Sequence, residues 1–262
     1  MKRGDFRGYP AAMSPRTAFF SALLAVGPLA FAAAPRVSAN DAGMPAPAGT
    51  QDLLSRLHDQ APALDARVLG LALDAAGCAA ASGQVAPARR LAVIDYSKPS
   101  TEPRLWVFDL RDARLLHAEH VAHGRRSGEN FTTAFSNEDG SHQTSLGLFA
   151  TAETYVGGNG YSLRMDGLEP GINDRARDRA IVMHGAPYVD PAMARRQGRL
   201  GRSLGCPAVR TAVAHEVIDT LKDGQLLFAY YPDQQWLANS RFFRCRAGVA
   251  ARTGASRPAG GR

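Results

Sequence analysis

Apolar residues recur at the helical period near the start of the chain and switch to a strand-like period further on. Residues 51–60 and 64–82 read as helices. In the second, Leu64, Val68, Leu71, Ala72, Ala75 and Cys78 fall on one face at steps of three and four. Gly83 and Pro87 then stop it. From Arg90 onward the runs are short and β-like. Residues 91–94, 105–108 and 115–121 read as strands, with Pro99 and Pro103 bracketing one turn and Arg111, Asp112, Ala113 and Arg114 making another. Residues 123–147 are polar and carry Gly124, Gly128, Gly140 and Gly147. A stretch this long without its own pattern is unusual in a compact domain and often functional. An apolar strand over 180–183 ends at His184. A helix is expected over 211–222, with Thr211 as N-cap and Gly224 just past its end. A closing strand over 226–231 stops at Pro232, and the chain after Trp236 reads as a loose tail rich in Arg and Gly. There is no internal repeat. Short strands with few helices predict an α+β, mainly β domain with an N-terminal helical extension.

The chain has 262 residues, 45% hydrophobic and 21% charged, which suffices to bury a sizeable core and excludes a disordered solvating chain. Its net charge of +7 is concentrated at the two ends. Residues 1–39 carry Lys2, Arg3, Arg7, Arg16 and Arg36 against Asp5, and six arginines follow Asp233 with no further acid. Between these ends 20 basic residues face 23 acidic ones. A polyanion-binding domain carries its charge as a patch on the fold, so no nucleic-acid partner is expected. The basic start, the apolar run over 18–34 and the small residues Val37, Ser38 and Ala39 have the layout of a secretory signal peptide, cleaved after Ala39. Gly27 and Pro28 break the run, so no membrane span is expected after processing. Met13 is a second candidate start. The expected organisation is a signal peptide over 1–39, a linker and helical extension over 40–89, a catalytic domain over 90–235 and a flexible basic tail over 236–262.

Export to the periplasm puts Cys78, Cys206 and Cys245 in an oxidising compartment, where thiols tend to pair. Three cysteines leave one over. Cys78 and Cys245 are candidates for a disulfide between the N-terminal helices and the tail; burial of Cys78 on its apolar helix face is the competing reading. Cys206 stands in Gly201-Arg202-Ser203-Leu204-Gly205-Cys206-Pro207, after Ile181-Val182-Met183-His184-Gly185. A cysteine nucleophile needs a thiolate, a base and oxyanion donors. His184 at a strand end can be the base, Gly205 admits a substrate, and Arg199 and Arg202 favour a thiolate and an acidic ligand. Taken alone, a Cys and a His are a weak signature, because cysteines are often simply buried.

The pairing of His184-Gly185 with Ser203-x-Gly205-Cys206 about twenty residues on resembles the active-site signature of the YkuD-type murein L,D-transpeptidases. The likeness extends to His123-Gly124-Arg125, Ser141-His142-Gln143, Gly160-Tyr161-Ser162 and Gly198-Arg199-Leu200, and covers roughly residues 65–235. The resemblance implies a YkuD-like β-sandwich with Cys206 as nucleophile and His184 as base and then acid. The Gly185 carbonyl would orient the imidazole, Ser203 would hold the loop, and the N–H groups of Gly205 and Cys206 would form the oxyanion hole. It also implies peptidoglycan stem peptides as substrate, a thioester with release of D-Ala, 3→3 cross-links, acylation by carbapenem-type inhibitors and no cofactor. Hydrolysis of the same thioester by a carboxypeptidase or amidase, and a non-catalytic murein-binding module, are the alternatives.

Two positions depart from better-known members. Leu204 stands where they carry His just before the Gly-Cys pair, and Ala208 stands where they carry Arg two residues after the cysteine. Arg210, Arg202 and Arg199 are candidates to replace that charge. His123, His142 and Tyr161 are further candidates for substrate contact. His117, His120 and His123 are spaced so that a strand divides them between faces, so no metal site is expected.

Overall fold

The computed structural model describes residues 48–245; the expected signal peptide and the last residues of the basic tail lie outside them. Helices α1 (Ala48–Gln60) and α2 (Ala66–Ala81) come first. They are followed by β1 (Arg90–Asp95), β2 (Leu105–Asp109), β3 (Arg114–Glu119), β4 (Val121–Ala122), β5 (Gly147–Gly157), β6 (Gly160–Gly167) and β7 (Val182–Ala186). Then come α3 (Pro191–Gln197), β8 (Ala208–Arg210), α4 (Thr211–Leu221), β9 (Leu226–Tyr230) and α5 (Gln234–Asn239). Among the described residues nine strands join one sheet in the order β3-β2-β1-β9-β5-β6-β7-β8-β4. The pairs β1/β9 and β7/β8 are parallel and the rest antiparallel. The edge strands β3 and β4 are consecutive in the chain, with only His120 between them, so the sheet comes close to closing on itself. Arg210 at the end of β8 grips Glu119 at the end of β3 through two hydrogen bonds of 2.8 and 2.7 Å across that seam.

The unbroken apolar runs of β1, β2 and β9 have a direct cause: both of their faces are buried. Alternate side chains enter different cores. Leu91, Val93, Trp106, Phe108, Leu226 and Phe228 pack with the helical layer, whereas Ala92, Ile94, Leu105, Val107, Leu227 and Ala229 pack with α4. The N-terminal helices therefore cover a sheet face. Ala72, Ala75, Ala76 and Ala79 on α2 are buried there, and such small side chains let a helix lie close to the strands. Asp65 caps α2 by accepting the Arg67 N–H at 2.7 Å.

The expected strands and the helices before β1 are present within a few residues, and the domain is mainly β with an N-terminal helical extension. Three features differ from the sequence reading. Thr211 is the first residue of α4, and Arg210 holds the cap position without a side-chain cap bond. The β5/β6 hairpin and the short helices α3 and α5 were not predicted. The outer half of β5 alternates weakly because it leaves the core, with Val156 81% exposed. The stretch after Trp236 is folded as far as Cys245. Asp233 caps α5 through the Trp236 N–H, residues 241–245 are helical, Trp236 and Phe242 are buried, and Cys245 forms a disulfide with Cys78. A few aromatic residues and one cross-link anchor a segment whose composition reads as loose.

Candidate active site

Strands β7 and β8 run side by side in parallel, with His184 opposite Ala208 and Gly185 opposite Val209. Cys206 precedes Ala208 by two residues and so stands at the entry to β8, beside the start of β7. Its Sγ accepts the Val182 N–H at 3.5 Å, and its thiol donates to the Ala180 carbonyl at 3.6 Å. His184 lies two residues further along β7, about 6–7 Å on at the rise of a strand. The parallel register thus places Cys206, at the entry to β8, next to the strand that carries His184. Among the described residues the hydrogen bonds of Sγ go to backbone groups at the start of β7 and just before it, and not to the imidazole.

His184 is buried, and its Nδ1 lies 3.0 Å from the Gly185 carbonyl. A carbonyl only accepts, so the neutral ring carries its proton on Nδ1 and leaves Nε2 free as a base. Burial lowers the pKa of His184 below the usual histidine range, and the Gly185 bond opposes this in part. Gly185 has a second constraint. A Cβ there would lie 2.7 Å from the Ala214 side chain, so glycine is what allows α4 to pack on β7.

Burial pushes the Cys206 thiol up, and the Val182 N–H and the charge of Arg179 pull it back only in part. Arg199 and Arg202, expected to favour the thiolate, are not among the groups that lower it in this resting arrangement. The cause of the upward shift is desolvation, which disfavours the thiolate.

Ser203 ties the loop together. Its Oγ donates to the Cys206 carbonyl at 2.7 Å and accepts the Gly205 N–H at 3.1 Å. That second bond occupies, in this arrangement, the Gly205 N–H that the sequence reading offers to an oxyanion. Gly205 has φ +131°, and a Cβ on it would meet the Gln143 carbonyl and the Ile181 side chain, both at 2.9 Å. The long polar stretch clamps this loop from the other side. The Ser203 N–H donates to the His123 carbonyl, the Arg125 N–H to the Ser203 carbonyl, and Thr144 Oγ1 to the Gly205 carbonyl, at 2.9, 2.8 and 3.3 Å.

The other candidates fall in different places. His123 is buried in the scaffold below the loop. Its Nδ1 accepts from Arg104 at 2.7 Å and its Nε2 faces the Gly128 carbonyl at 3.2 Å. Burial and the Arg104 charge lower its pKa to about 4. His142 lies on the surface of the polar stretch, 2.9 Å from Arg125. Tyr161 packs on α4: its ring stacks on His215 at 4.5 Å and its hydroxyl donates to Asp219 at 2.6 Å. Arg199 and Arg202 both pair with Glu129, at 2.8 and 2.6 Å, and Arg210 is held by Glu119. Leu204 is 58% exposed, whereas Ala208 is buried.

Sequence reasoning missed Arg179. It immediately precedes the Ala180 carbonyl that receives the thiol, and its guanidinium lies against Gly205. It donates to the carbonyls of Ser136 and Gln143, both at 2.7 Å, and to the hydroxyls of Ser145 and Ser141 at 2.5 and 3.1 Å. In the sequence it is one arginine among Arg175, Arg177 and Arg179, with nothing in its spacing to single it out. No cluster of three metal-ligating side chains is present among the described residues, and no helix among them is long and apolar enough to cross a membrane.

Three solved structures are among those similar to the chain. An L,D-transpeptidase from Mycobacterium smegmatis is 15% identical, with 55% of this chain and 59% of that chain covered and a TM-score of 0.34. An L,D-transpeptidase in complex with imipenem is 14% identical, with 54% and 59% covered and a TM-score of 0.34. An L,D-transpeptidase from Stackebrandtia nassauensis is 14% identical, with 71% and 92% covered and a TM-score of 0.33. The match thus spans about three-fifths of the length of the first two of these relatives. No curated protein matches the chain in sequence. A family model described as the L,D-transpeptidase catalytic domain matches residues 60–230, a span that takes in α2, the whole sheet and both Cys206 and His184. The chain belongs to the YkuD-type L,D-transpeptidase catalytic domain family.

Proposed function

We propose that the protein is an exported cysteine acyltransferase acting on peptidoglycan tetrapeptide stems, with Cys206 as nucleophile and His184 as general base. The observation that carries this reading is the placement of the free cysteine at the entry to β8, the strand paired with β7, which bears a histidine whose Nε2 is left unprotonated by the Gly185 carbonyl. The thiol turns from the Ala180 carbonyl toward His184 and gives its proton to Nε2. The sulfur then forms a bond to the carbonyl carbon of the third stem residue. The C–N bond to the terminal D-Ala breaks, and its nitrogen takes the proton from His184. An amine of a second stem attacks the thioester, releasing the thiol and making a 3→3 cross-link. Water in place of that amine gives the carboxypeptidase or amidase reaction; nothing in the site favours water over an amine. The same thiol would be acylated by a carbapenem. The disulfide between Cys78 and Cys245 supports the export reading, since such bonds persist in oxidising compartments.

Mass spectrometry of a disaccharide-tetrapeptide incubated with the purified protein tests this. The expected product is a cross-linked dimer with loss of D-Ala, absent with Cys206→Ala. Loss of D-Ala without dimer would transfer the assignment to the hydrolase, and no product at all would overturn both.

A further inference from the structure

The loop that carries Cys206 lacks the arginine that better-known members of the family place two residues after the cysteine, and the three arginines that could replace it are occupied. Arg199 and Arg202 share Glu129, and Arg210 is bound by both oxygens of Glu119. A cation already paired with a carboxylate contributes little field beyond its partner. Arg179 differs from all three. Four acceptors hold its guanidinium, and each is a neutral carbonyl or hydroxyl. Among the described residues no carboxylate lies within ion-pair distance of it. The charged groups around it are Arg175, Glu138, Asp139 and the thiol of Cys206; Glu138 is itself paired with Arg175 at 2.9 Å. The charge is therefore fixed in direction and has no direct carboxylate partner, with Asp139 acting on it only from beyond ion-pair distance.

Its position matters as much as its charge. A Cβ on Gly205, the residue before the nucleophile, would lie 3.7 Å from Arg179 Nη2. The next residue along, Ala180, receives the Cys206 thiol. The clamp also comes from the polar stretch that closes over the loop, through Ser136, Ser141, Gln143 and Ser145. Two of the four bonds go to each terminal nitrogen, which leaves Nε as the remaining donor. A guanidinium so engaged is poorly suited to gripping a substrate carboxylate with both arms, but well suited to acting as a stationary charge.

We propose that Arg179 is the positioning residue that supplies the fixed positive charge at Cys206, stabilising its thiolate and favouring the approach of anionic acyl donors. This rests on the reading of Cys206 as the reacting group, but not on the identity of the substrate. Burial raises the thiol and Arg179 opposes it, which agrees in sign.

Alkylation of Cys206 by iodoacetamide and by iodoacetate tests the proposal without any peptidoglycan. The sulfur bonds to the reagent carbon, the C–I bond breaks, and iodide leaves while the thiol proton passes to solvent. The two reagents differ in charge, and Cys206 is the only free thiol, so their rate ratio reads the field at one atom. The expected result is that Arg179→Gln lowers the iodoacetate to iodoacetamide ratio on the order of tenfold, while Arg179→Lys keeps it near that of the parent protein. The pH profile of iodoacetamide alkylation should move upward in Arg179→Gln alone. A purely structural role predicts equal loss with both reagents and no rescue by lysine, and that outcome overturns the proposal, as does an unchanged ratio in Arg179→Gln. If the glutamine variant does not fold, the unmodified protein decides. Salt should lower its iodoacetate rate relative to iodoacetamide if a cation dominates the site, and a ratio that stays flat or rises overturns the proposal. A normal alkylation pattern with no product from the tetrapeptide would count against the proposed substrate and leave Arg179 in place.

Discussion

The molecule contains two regions built on opposite principles. Around β1, β2 and β9 the strands are apolar on both faces, one face lies under α1, α2 and α5, and one disulfide staples the outer layer. Around β7 and β8 the structure is held by polar groups. Ser203 bonds to its own loop, Thr144 and His123 clamp it, and Arg104 and Arg179 stand beneath and beside it with neutral partners. The first region is stabilised by area removed from water, which tolerates changes of side chain that preserve volume. The second depends on directional bonds whose loss leaves buried groups unsatisfied. The cysteines follow the same division. Cys78 and Cys245 are joined in the apolar region, and Cys206 stays free in the polar one.

Several changes would break or sharpen this contrast. The largest effect is expected from cutting the staple. Cys78→Ser with Cys245→Ser opens a link across 167 residues, and chain-entropy reasoning gives a loss of about 5 kcal/mol of stability. Denaturant unfolding should show that loss, while the alkylation rate of Cys206 in the folded fraction stays unchanged. A slower Cys206 would mean that the two regions are coupled. Next is Phe228→Ala on β9, whose ring is fully buried and meets Trp236 at 5.7 Å and Phe243 at 6.2 Å. The cavity should cost about 3–5 kcal/mol, again read by unfolding and without effect on the pH profile of alkylation.

Acid should act first on the polar region. His123 titrates near 4 in the folded protein and near the ordinary histidine value when unfolded, so the unfolded chain binds the extra proton in between. Stability is then full above about pH 6.5 and falls as the pH drops toward 4, by about 3 kcal/mol at most. Unfolding measured between these values should show the slope, and His123→Gln should flatten it. A slope that survives that change would assign it to other groups. The smallest effect is that of Ser203→Ala, which removes the partner of the Gly205 N–H. A loss of about 1–2 kcal/mol is expected, with a disproportionate change in Cys206 alkylation because the freed loop no longer fixes the nucleophile.

The same division explains which parts were legible in the chain. The period of 3.6 in 64–82 and the doubly apolar runs at 91–94, 105–108 and 226–230 point directly to α2, β1, β2 and β9, because burial on one helix stripe or on both strand faces imprints a local pattern. The Ser-x-Gly-Cys and His-Gly motifs likewise single out Cys206, His184, Ser203 and Gly185 as a chemical inventory. The hairpin β5/β6 leaves the core along its outer half, so its strands carry no such imprint. The segment after Trp236 owes its order to Trp236, Phe242 and Cys245, three residues in a polar context.

By itself the sequence determined the strands that are buried on both sides, the family, and the residue types available for acyl transfer. Tertiary structure alone decided how they are deployed. It set His123 on Arg104, Tyr161 on α4, and Arg199 and Arg202 on Glu129, and it brought Arg179 beside Cys206. The physical reason is the range of the interactions. Hydrophobic period acts within a few residues and is written into neighbouring positions. Ion pairs and hydrogen bonds between residues some 20 to 70 positions apart are fixed only when the sheet closes and the loops meet.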